Sequence, residues 1–337
     1  MLTSMRVRNF RSIVDSGDLP LGRITLLIGP NNSGKSSLLR SIYAIQSGAP
    51  VSNSDIRLGE RYAEAWLKTD PIPERIRPDT GSRTVTIDKG YLGWTLDRQA
   101  GGGITAYASL DDPAGDAGRF TMSLVPAQIP NNFIFPVLAG RRQALHSEQI
   151  RREQALTVNA MDNNLVSRMS LLSNAAIPEA RRFRELCELV LGTSLELILV
   201  ENGMQQVGFR VGLSTDIPLD AMGSGVSAAL SLLVSLSIAK DHVFLVEEPE
   251  NDLHPKALKA LLEQIMGSPN QFIVSTHSNV VLSKLGSVAG QWFYTSQRDR
   301  SALPFPSFVS SRPPRIESEC FKILGMSLLT WSWPMDG

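Results

Sequence analysis

The apolar residues near the start of the chain follow two patterns in turn. Met5 to Asn9 alternate between apolar and polar side chains, and residues 23–29 ("RITLLIG") are almost continuously apolar, so both segments are predicted strands. A loop rich in glycine and asparagine then leads into a predicted helix over about 35–46. The strand, the glycine-containing loop and the helix therefore follow one another directly.

The middle of the chain has a different pattern. Residues 47–82 are rich in proline, aspartate, arginine and glycine without a clear period, which predicts a surface excursion with one short helix near 60–68. Short alternating runs between 83 and 138 predict an antiparallel meander. Residues 142–192 are polar with one apolar stripe, and Pro178 suits the first turn of a helix, so a helical insertion is predicted there.

The last third of the chain alternates between strand and helix patterns. Two predicted strands, 195–201 and 206–213, are followed by six segments: a helix at 225–239, a strand at 242–247, a helix at 255–266, a strand at 271–275, a helix at 278–285 and a strand at 291–295. Such alternation implies a parallel sheet covered by helices. After residue 300 the chain is rich in proline and serine, and one more helix is predicted near 315–325.

These changes of pattern predict an α/β fold with a mixed central sheet, an antiparallel β lobe and a helical insertion. Residues 1–141 would form the N-terminal part of the core with the lobe, and 142–194 the insertion, a candidate surface for dimerisation or partner binding. Residues 195–300 would complete the core, and 301–337 would form a tail.

Composition and charge narrow the possible functions. The 337 residues are 42% hydrophobic and carry 33 basic and 33 acidic side chains, so the net charge is zero and no global field attracts nucleic acid or an anionic membrane. DNA contact would have to rest on local basic clusters, at 139–142, Arg151, Arg152, Arg181, Arg182 and Arg184. A solvated helix face is the alternative explanation for these clusters.

The cysteines and the apolar runs predict a cytoplasmic location without membrane contact. Cys187 and Cys320 lack the spacing of a disulfide framework or a metal finger, which fits a reducing compartment. The first residues lack the apolar region of a signal peptide. The longest apolar stretch, 228–239, is too short and too rich in serine to span a bilayer.

Residues 29–37, "GPNNSGKSS", match the phosphate-loop pattern G-x-x-x-x-G-K-[ST] between a strand and a helix. Gly29 and Gly34 allow a tight backbone wrap whose N–H groups face phosphate oxygens together with the helix N-terminus. The alternative is a turn rich in glycine and asparagine that happens to precede a lysine. The residues expected to surround the nucleotide are Gly29, Asn31, Asn32, Ser33, Gly34, Lys35, Ser36 and Ser37.

Three side chains of this loop have distinct expected roles. Lys35 would place its charge on the β and γ phosphates, and the Ser36 hydroxyl would bind Mg²⁺. Ser37 would add a donor for the α phosphate. The predicted cofactors are therefore ATP and Mg²⁺.

The apolar run "VFLV" ends directly in Glu247 and Glu248. A phosphate-loop enzyme needs a second group for the metal, and also a residue that positions the attacking water. Glu247 is the candidate for the metal, where aspartate is more usual. Glu248, pointing the other way on an extended chain, is the candidate for the water. An acidic cluster that merely solvates a strand end is the alternative.

Four segments together resemble the ABC-type ATPase core of the OLD nuclease, RecF and SMC/Rad50 group. They are "MRVRNFRSI" at the start, "GPNNSGKSSLL", "LVEEPENDLHP" and "FIVSTHSNVVL" at 272–282. The resemblance covers residues 1 to about 50 and 215–295, and the middle of the chain only by architecture.

The resemblance implies roles for further residues. Glu247 matches the Walker B acidic residue and Glu248 the catalytic carboxylate. Residues 250–255 match the D-loop, which meets a second protomer, and His277 matches the switch histidine that senses the γ phosphate. A histidine at a strand end is otherwise a surface or capping residue.

The segment 219–233, "LDAMGSGVSAALSLL", stands where ABC proteins carry a signature helix. Gly223, Ser224 and Gly225 would expose N–H groups and a hydroxyl at a helix N-terminus, which is an anion site. In the family, this site contacts the γ phosphate bound to the opposite subunit. The form differs from the LSGGQ of transporters, and a simple helix cap is the alternative.

Arg11, with Phe10, is a further candidate for contact with the nucleotide. The alternative explanation is that the arginine only solvates the face of the strand.

The implied function is an ATPase that forms a homodimer, or multiples of dimers, around ATP and regulates a separate nuclease or other effector in anti-phage defence or DNA repair. OLD-type nucleases continue into an acidic Toprim domain, and no such acidic cluster follows in "ESECFKILGMSLLTWSWPMDG". We therefore expect no nuclease site in this chain, which would be a partner of a separate Toprim protein, a truncated protein or a standalone ATPase. The alternatives are a RecF-like DNA clamp, a transporter subunit and a scaffold without turnover.

Overall fold

The computed structural model describes most of the chain. The described residues are 1–71, 90–100, 103–109, 119–138, 147–161, 163–199, 204–211, 215–219, 224–289, 291–298 and 305–311. The predicted helix near 315–325 and the run "RTVTID" at 83–88 lie outside them.

Three sheets and seven helices make up the described part of the chain. The strands are β1 Leu2–Phe10, β2 Ile13–Asp15, β3 Leu19–Pro20, β4 Ile24–Ile28, β5 Tyr62–Thr69, β6 Gly90–Asp97, β7 Ile104–Ser109, β8 Arg119–Met122, β9 Ile134–Val137, β10 Ser147–Glu148, β11 Glu196–Leu199, β12 Gln205–Val211, β13 Thr215–Pro218, β14 Val243–Glu247, β15 Gln271–Thr276, β16 Gln291–Arg298 and β17 Phe305–Ser311. The helices are α1 Lys35–Tyr43, α2 Arg152–Leu156, α3 Leu165–Ser170, α4 Pro178–Leu191, α5 Ser224–Ile238, α6 Pro255–Gly267 and α7 Asn279–Leu285.

The antiparallel lobe has the strand order β2-β1-β5-β6-β7-β8, with β3 also beside β1. The short helix predicted near 60–68 is wrong, because β5 occupies that stretch and pairs with both β1 and β6. The local sequence "YAEAWLKT" is rich in helix formers. Pairing on both edges and burial of most of the strand outweigh that local preference.

The central sheet has the order β17-β16-β4-β15-β14-β9, and the prediction of a mixed sheet is confirmed. The strands β16, β4, β15, β14 and β9 run parallel to their neighbours, and β17 pairs antiparallel with β16. The prediction that the antiparallel meander extends to residue 138 is wrong at its end. The strand β9 is not part of the lobe but pairs in parallel with β14. Its four residues are all apolar and buried, which suits a sheet covered on both faces.

A third, smaller sheet and three helices lie between the two halves of the central sheet in the sequence. The sheet has the order β10-β12-β11, with β13 beside β12. The helix α4 starts at Pro178, as predicted, and is followed by Gly192 in the left-handed region at φ 74°. The helical insertion is thus present as α2, α3 and α4, while its exact boundaries as a domain remain a prediction.

The central sheet is buried on both faces by two apolar clusters. Alternate residues of β15 enter different clusters: Ile273 packs with α1 and the lobe, whereas Phe272 and Val274 pack with α4, α5 and α6. Each fully buried side chain of this size contributes about 1.5–3 kcal/mol. The packing on both faces therefore fixes the positions of the strands whose carboxyl ends form one edge of the sheet.

Among the residues that the structure describes, none of the helices has the length and apolar character needed to cross a bilayer.

Candidate functional site

The carboxyl ends of three parallel strands meet at one edge of the central sheet. The strand β15 lies between β4 and β14, in a register that places Ser275 beside Glu247 and Thr276 beside Ile28. The phosphate-loop pattern follows β4, the acidic pair ends β14 and His277 follows β15. The structure thus brings together three motifs that are far apart in the sequence, at the edge where α/β sheets bind ligands.

The phosphate-loop pattern forms a turn that enters α1. Gly34 has φ 93°, a left-handed conformation that favours glycine, and it immediately precedes the first helical residue, Lys35. The N-terminus of α1 presents free N–H groups to an anion. Asn31 and Asn32 are exposed, whereas Ser33 and Ser37 are buried.

Lys35 is buried within this loop, with 6% of its surface exposed. Its Nζ donates hydrogen bonds to the carbonyl oxygens of Gly29 and Pro30, both at 2.8 Å. Burial lowers the pKa of Lys35 below its ordinary value, and three nearby carboxylates act in the opposite direction. They belong to Glu248, Glu247 and Glu250. The ammonium group therefore lies in a surplus of negative charge.

The Ser36 hydroxyl donates a hydrogen bond to Oε1 of Glu247. Glu247 is 6% exposed at the end of β14. A hydroxyl and a carboxylate are the oxygen ligands that Mg²⁺ prefers, and this ion usually takes its other ligands from substrate phosphates and water. The surplus of carboxylates around Lys35 favours a cation, so the residues present fit Mg²⁺ bound with a nucleotide.

Glu248 departs from the extended geometry that the sequence predicted. The strand β14 ends at Glu247, and Glu248 has φ 47°, an unusual conformation for this residue type that costs about 1–3 kcal/mol. Its N–H donates to the Ser275 carbonyl at 2.9 Å. Its Oε2 accepts a hydrogen bond from Asn251 Nδ2 at 2.7 Å. The direction of the Glu248 carboxylate is therefore set by this turn and not by the alternation of side chains along a strand.

His277 lies beside Glu248, with 3.3 Å between His277 Nε2 and Glu248 Oε1. Both side chains are partly exposed, at 34% and 28%. They line an open depression of about 550 Å³ together with Asn31, Glu250, Asn251 and Ser278. The candidate base and the candidate switch histidine thus share one solvent-accessible space next to the phosphate loop.

Glu250 connects the two turns that carry these side chains. Its Oε1 accepts hydrogen bonds from Thr276 Oγ1 at 2.7 Å and from the His277 backbone N–H at 2.9 Å. The resemblance places Glu250 and Asn251 in a turn that meets a second protomer, and that role stays a prediction. The motif patterns did not predict the contacts of Glu250, Asn251 and Thr276 within the chain, since a match of motifs does not reveal contacts between turns.

Ser224 and Gly225 form the first two residues of α5, so the predicted position at a helix N-terminus is confirmed for both. Gly223 lies outside the described residues. Arg11 pairs with a carboxylate and lies near Phe10. Its Nε lies 2.6 Å from Asp55 Oδ1, and its guanidinium is 5.8 Å from the Phe10 ring. The roles of these four candidate residues at the nucleotide remain predictions.

Comparisons with known proteins agree with this geometry. Residues 1–99 match the family model described as "AAA ATPase domain", and residues 129–283 match the one described as "AAA domain, putative AbiEii toxin, Type IV TA system". An OLD nuclease from Thermus scotoductus is 23% identical, over 83% of this chain and 59% of that protein. The chain therefore spans only about three fifths of the length of this relative.

Solved structures of SMC heads share the fold. An SMC head bound to the C-winged helix domain of ScpA has a TM-score of 0.64 at 18% identity, over 95% of this chain and 99% of that chain. An SMC head from Pyrococcus furiosus with an extended coiled coil, bound to the C-terminal domain of ScpA, has a TM-score of 0.58 at 16% identity, over 96% of this chain and 98% of that one. Two segments of the chain thus match AAA ATPase domain models, the fold is similar to that of SMC heads, and an OLD nuclease is a distant homologue.

Proposed function

We propose that this protein binds ATP with Mg²⁺ and hydrolyses it at the edge of the central sheet. The main support is that side chains from distant segments of the sequence come into contact in two pairs. Ser36 contacts Glu247, and the His277 ring lies 3.3 Å from Glu248. Metal ligands and a base beside one phosphate loop are the parts that phosphoryl transfer to water requires.

In this proposal, the loop and Lys35 bind the phosphates. Lys35 exchanges its hydrogen bonds to Gly29 and Pro30 for phosphate oxygens, and the N-terminus of α1 adds N–H donors. Ser36 and Glu247 hold Mg²⁺, which neutralises charge on the phosphates when bound.

Glu248 positions the attacking water and accepts its proton, while Asn251 holds the second carboxylate oxygen in place. His277 lies on the other side of that carboxylate and is the candidate contact for the γ phosphate. Both groups face the open depression next to Asn31 of the phosphate loop, which supports access by a nucleotide.

The complete site is proposed to form between two copies of the chain. The N-terminus of α5, with Ser224 and Gly225, would contact the γ phosphate bound to the partner copy, so that ATP is enclosed in a dimer or a multiple of dimers. ATP then acts as a clamp that closes on binding and opens on hydrolysis.

Control of a separate nuclease or other effector, in anti-phage defence or DNA repair, is the proposed output. The similarity to an OLD nuclease supports it, and the SMC heads named above were solved with a bound partner, ScpA.

The test compares wild type with Glu248→Gln and with the control Glu263→Gln, whose side chain lies on α6 and pairs with Lys284 at 2.9 Å. Phosphate release and ATP-dependent mass by light scattering are measured. Wild type should hydrolyse ATP, and Glu248→Gln should lose about 10²–10⁴-fold in kcat while retaining ATP and the dimer. Unchanged phosphate release in Glu248→Gln would contradict the assigned base. The control should behave like wild type.

A further inference from the structure

Ser275, next to the last residue of β15, carries a buried hydroxyl without a hydrogen-bond partner among the described residues. Ser275 is only 1% exposed. Its Oγ is one of the few buried side-chain polar atoms that have no hydrogen-bond partner in the described part of the chain. Two buried serines on a neighbouring helix show the usual arrangement. Ser235 and Ser237 on α5 donate to the carbonyl oxygens of Ser231 and Leu233, both at 2.7 Å. Burial of an unpaired hydroxyl costs free energy, so a ligand is the expected partner.

The alternation along β15 fixes the face on which this hydroxyl lies. Phe272 and Val274 enter the cluster with α5 and α6, whereas Ile273 enters the cluster with α1. Because side chains two apart share a face, Ser275 lies on the α1 side with Ile273. Thr276 lies on the opposite face, consistent with its bond to Glu250.

On the α1 side, Ser275 is the middle member of a row across three strands. It is paired with Leu27 of β4 on one side and with Glu247 of β14 on the other. Neighbouring strands are about 4.8 Å apart, so the backbone of Ser275 lies one strand spacing from that of Glu247, whose carboxylate contacts Ser36. The unpaired hydroxyl therefore lies on the same face of the sheet as the candidate metal site, one strand away.

We infer that Ser275 binds a water molecule of the hydrated Mg²⁺ held by Ser36 and Glu247. This inference rests on the proposed function and adds a residue to it. Mg²⁺ keeps several of its waters in protein sites, and a water polarised by the ion donates strongly to a hydroxyl oxygen. At one strand spacing from Glu247, Ser275 is placed to reach such a water rather than the ion itself. Its role is to position the hydrated metal.

The test uses Ser275→Ala and the matched control Ser237→Ala, which removes a buried hydroxyl that has a partner. The Mg²⁺ concentration that half-saturates binding of a fluorescent, non-hydrolysable ATP analogue is measured in the full chain, with nucleotide binding in EDTA as reference. Ser275→Ala should raise that concentration about tenfold and leave binding in EDTA unchanged. Ser237→Ala should leave both unchanged.

Thermal unfolding without ligand separates this role from a structural one. Removal of an unpaired hydroxyl should leave the melting temperature of Ser275→Ala equal to or above that of wild type. A lower melting temperature would show that the hydroxyl has a partner in the protein and would overturn the inference. So would an Mg²⁺ midpoint within twofold of wild type. A wild type whose nucleotide binding does not depend on Mg²⁺ would overturn the proposed function as well.

Discussion

The carboxylate of Glu250 accepts a hydrogen bond from the backbone N–H of His277 at 2.9 Å. The same oxygen accepts the Thr276 hydroxyl at 2.7 Å, so the turn after β14 is tied to the end of β15. Glu248 and His277 stand on the two segments that this carboxylate joins. Their separation of 3.3 Å is therefore set by a third side chain as well as by their own contact.

Loss of the hydrogen bonds from Glu250 to the end of β15 should lower the rate of ATP turnover more than it lowers the affinity for nucleotide. Glu250→Ala removes the acceptor, and we expect kcat for ATP to fall about tenfold to a hundredfold, because small misplacements of catalytic groups are costly. The KM should change little, since Glu250 is not a candidate phosphate ligand. Glu250→Gln keeps an acceptor oxygen and should retain most of kcat.

Thr276 offers an independent check of the same tie. Thr276→Val removes the hydroxyl at constant shape, whereas Thr276→Ser keeps it. Steady-state kinetics should show a reduced kcat in the valine variant and near-normal kcat in the serine variant. Equal kinetics in the two would mean that the contact with Glu250 has no influence on the site.

A site shared between two copies should allow complementation. Lys35→Ala disables the phosphate loop of a copy, and Ser224→Arg disables the helix terminus that it offers to its partner. Each variant alone should be inactive. A 1:1 mixture should recover about a quarter of wild-type activity, because half of the dimers are mixed and each mixed dimer has one intact site. Failure to recover activity after subunit exchange, measured as phosphate release, would argue against the composite site.

Gly93 in the lobe should be intolerant of a side chain. A Cβ at this position would lie 2.1 Å from Cε3 of Trp66, whose ring covers the glycine. Gly93→Ala should lower the free energy of unfolding by roughly 1–3 kcal/mol, the usual cost of overpacking. Gly103→Ala is the control, because a Cβ at Gly103, just before β7 of the same lobe, meets nothing within 4 Å. Urea denaturation of both variants measures the difference.

Cys187 should be unreactive in the native protein. Burial raises the pKa of its thiol to about 12, and the residue has no exposed surface. In a Cys320→Ser background, alkylation by iodoacetamide at pH 8 should be at least about a thousandfold slower than that of free cysteine, since only the thiolate reacts. In guanidinium chloride the rate should become that of free cysteine. Rapid native alkylation would contradict the buried position of Cys187 on α4.

The parts of the site that depend on local sequence could be predicted. The phosphate loop, the acidic strand end and His277 were found because each motif stands in one short segment between a strand and a helix. Ser36 and Glu247 were each predicted to bind Mg²⁺, and their contact fits the rule that parallel strands share a carboxyl edge.

The remaining features depend on contacts between segments. The conformation of Glu248 follows from its turn, and the tie through Glu250 joins residues 26 positions apart. The strand β5 was mistaken for a helix because its neighbours β1 and β6, rather than its own residues, decide its conformation. In the same way, β9 could be assigned to the central sheet only once its partner β14 was known.

The position of β9 has a consequence for how such proteins diversify. Of the strands that the structure describes in the central sheet, only β9 comes from the long stretch between α1 and β14, and it lies at the outer edge. Loops in that stretch can therefore be lengthened, or can accept an inserted module, without interrupting β4, β14 or β15, whose carboxyl ends meet at the candidate site.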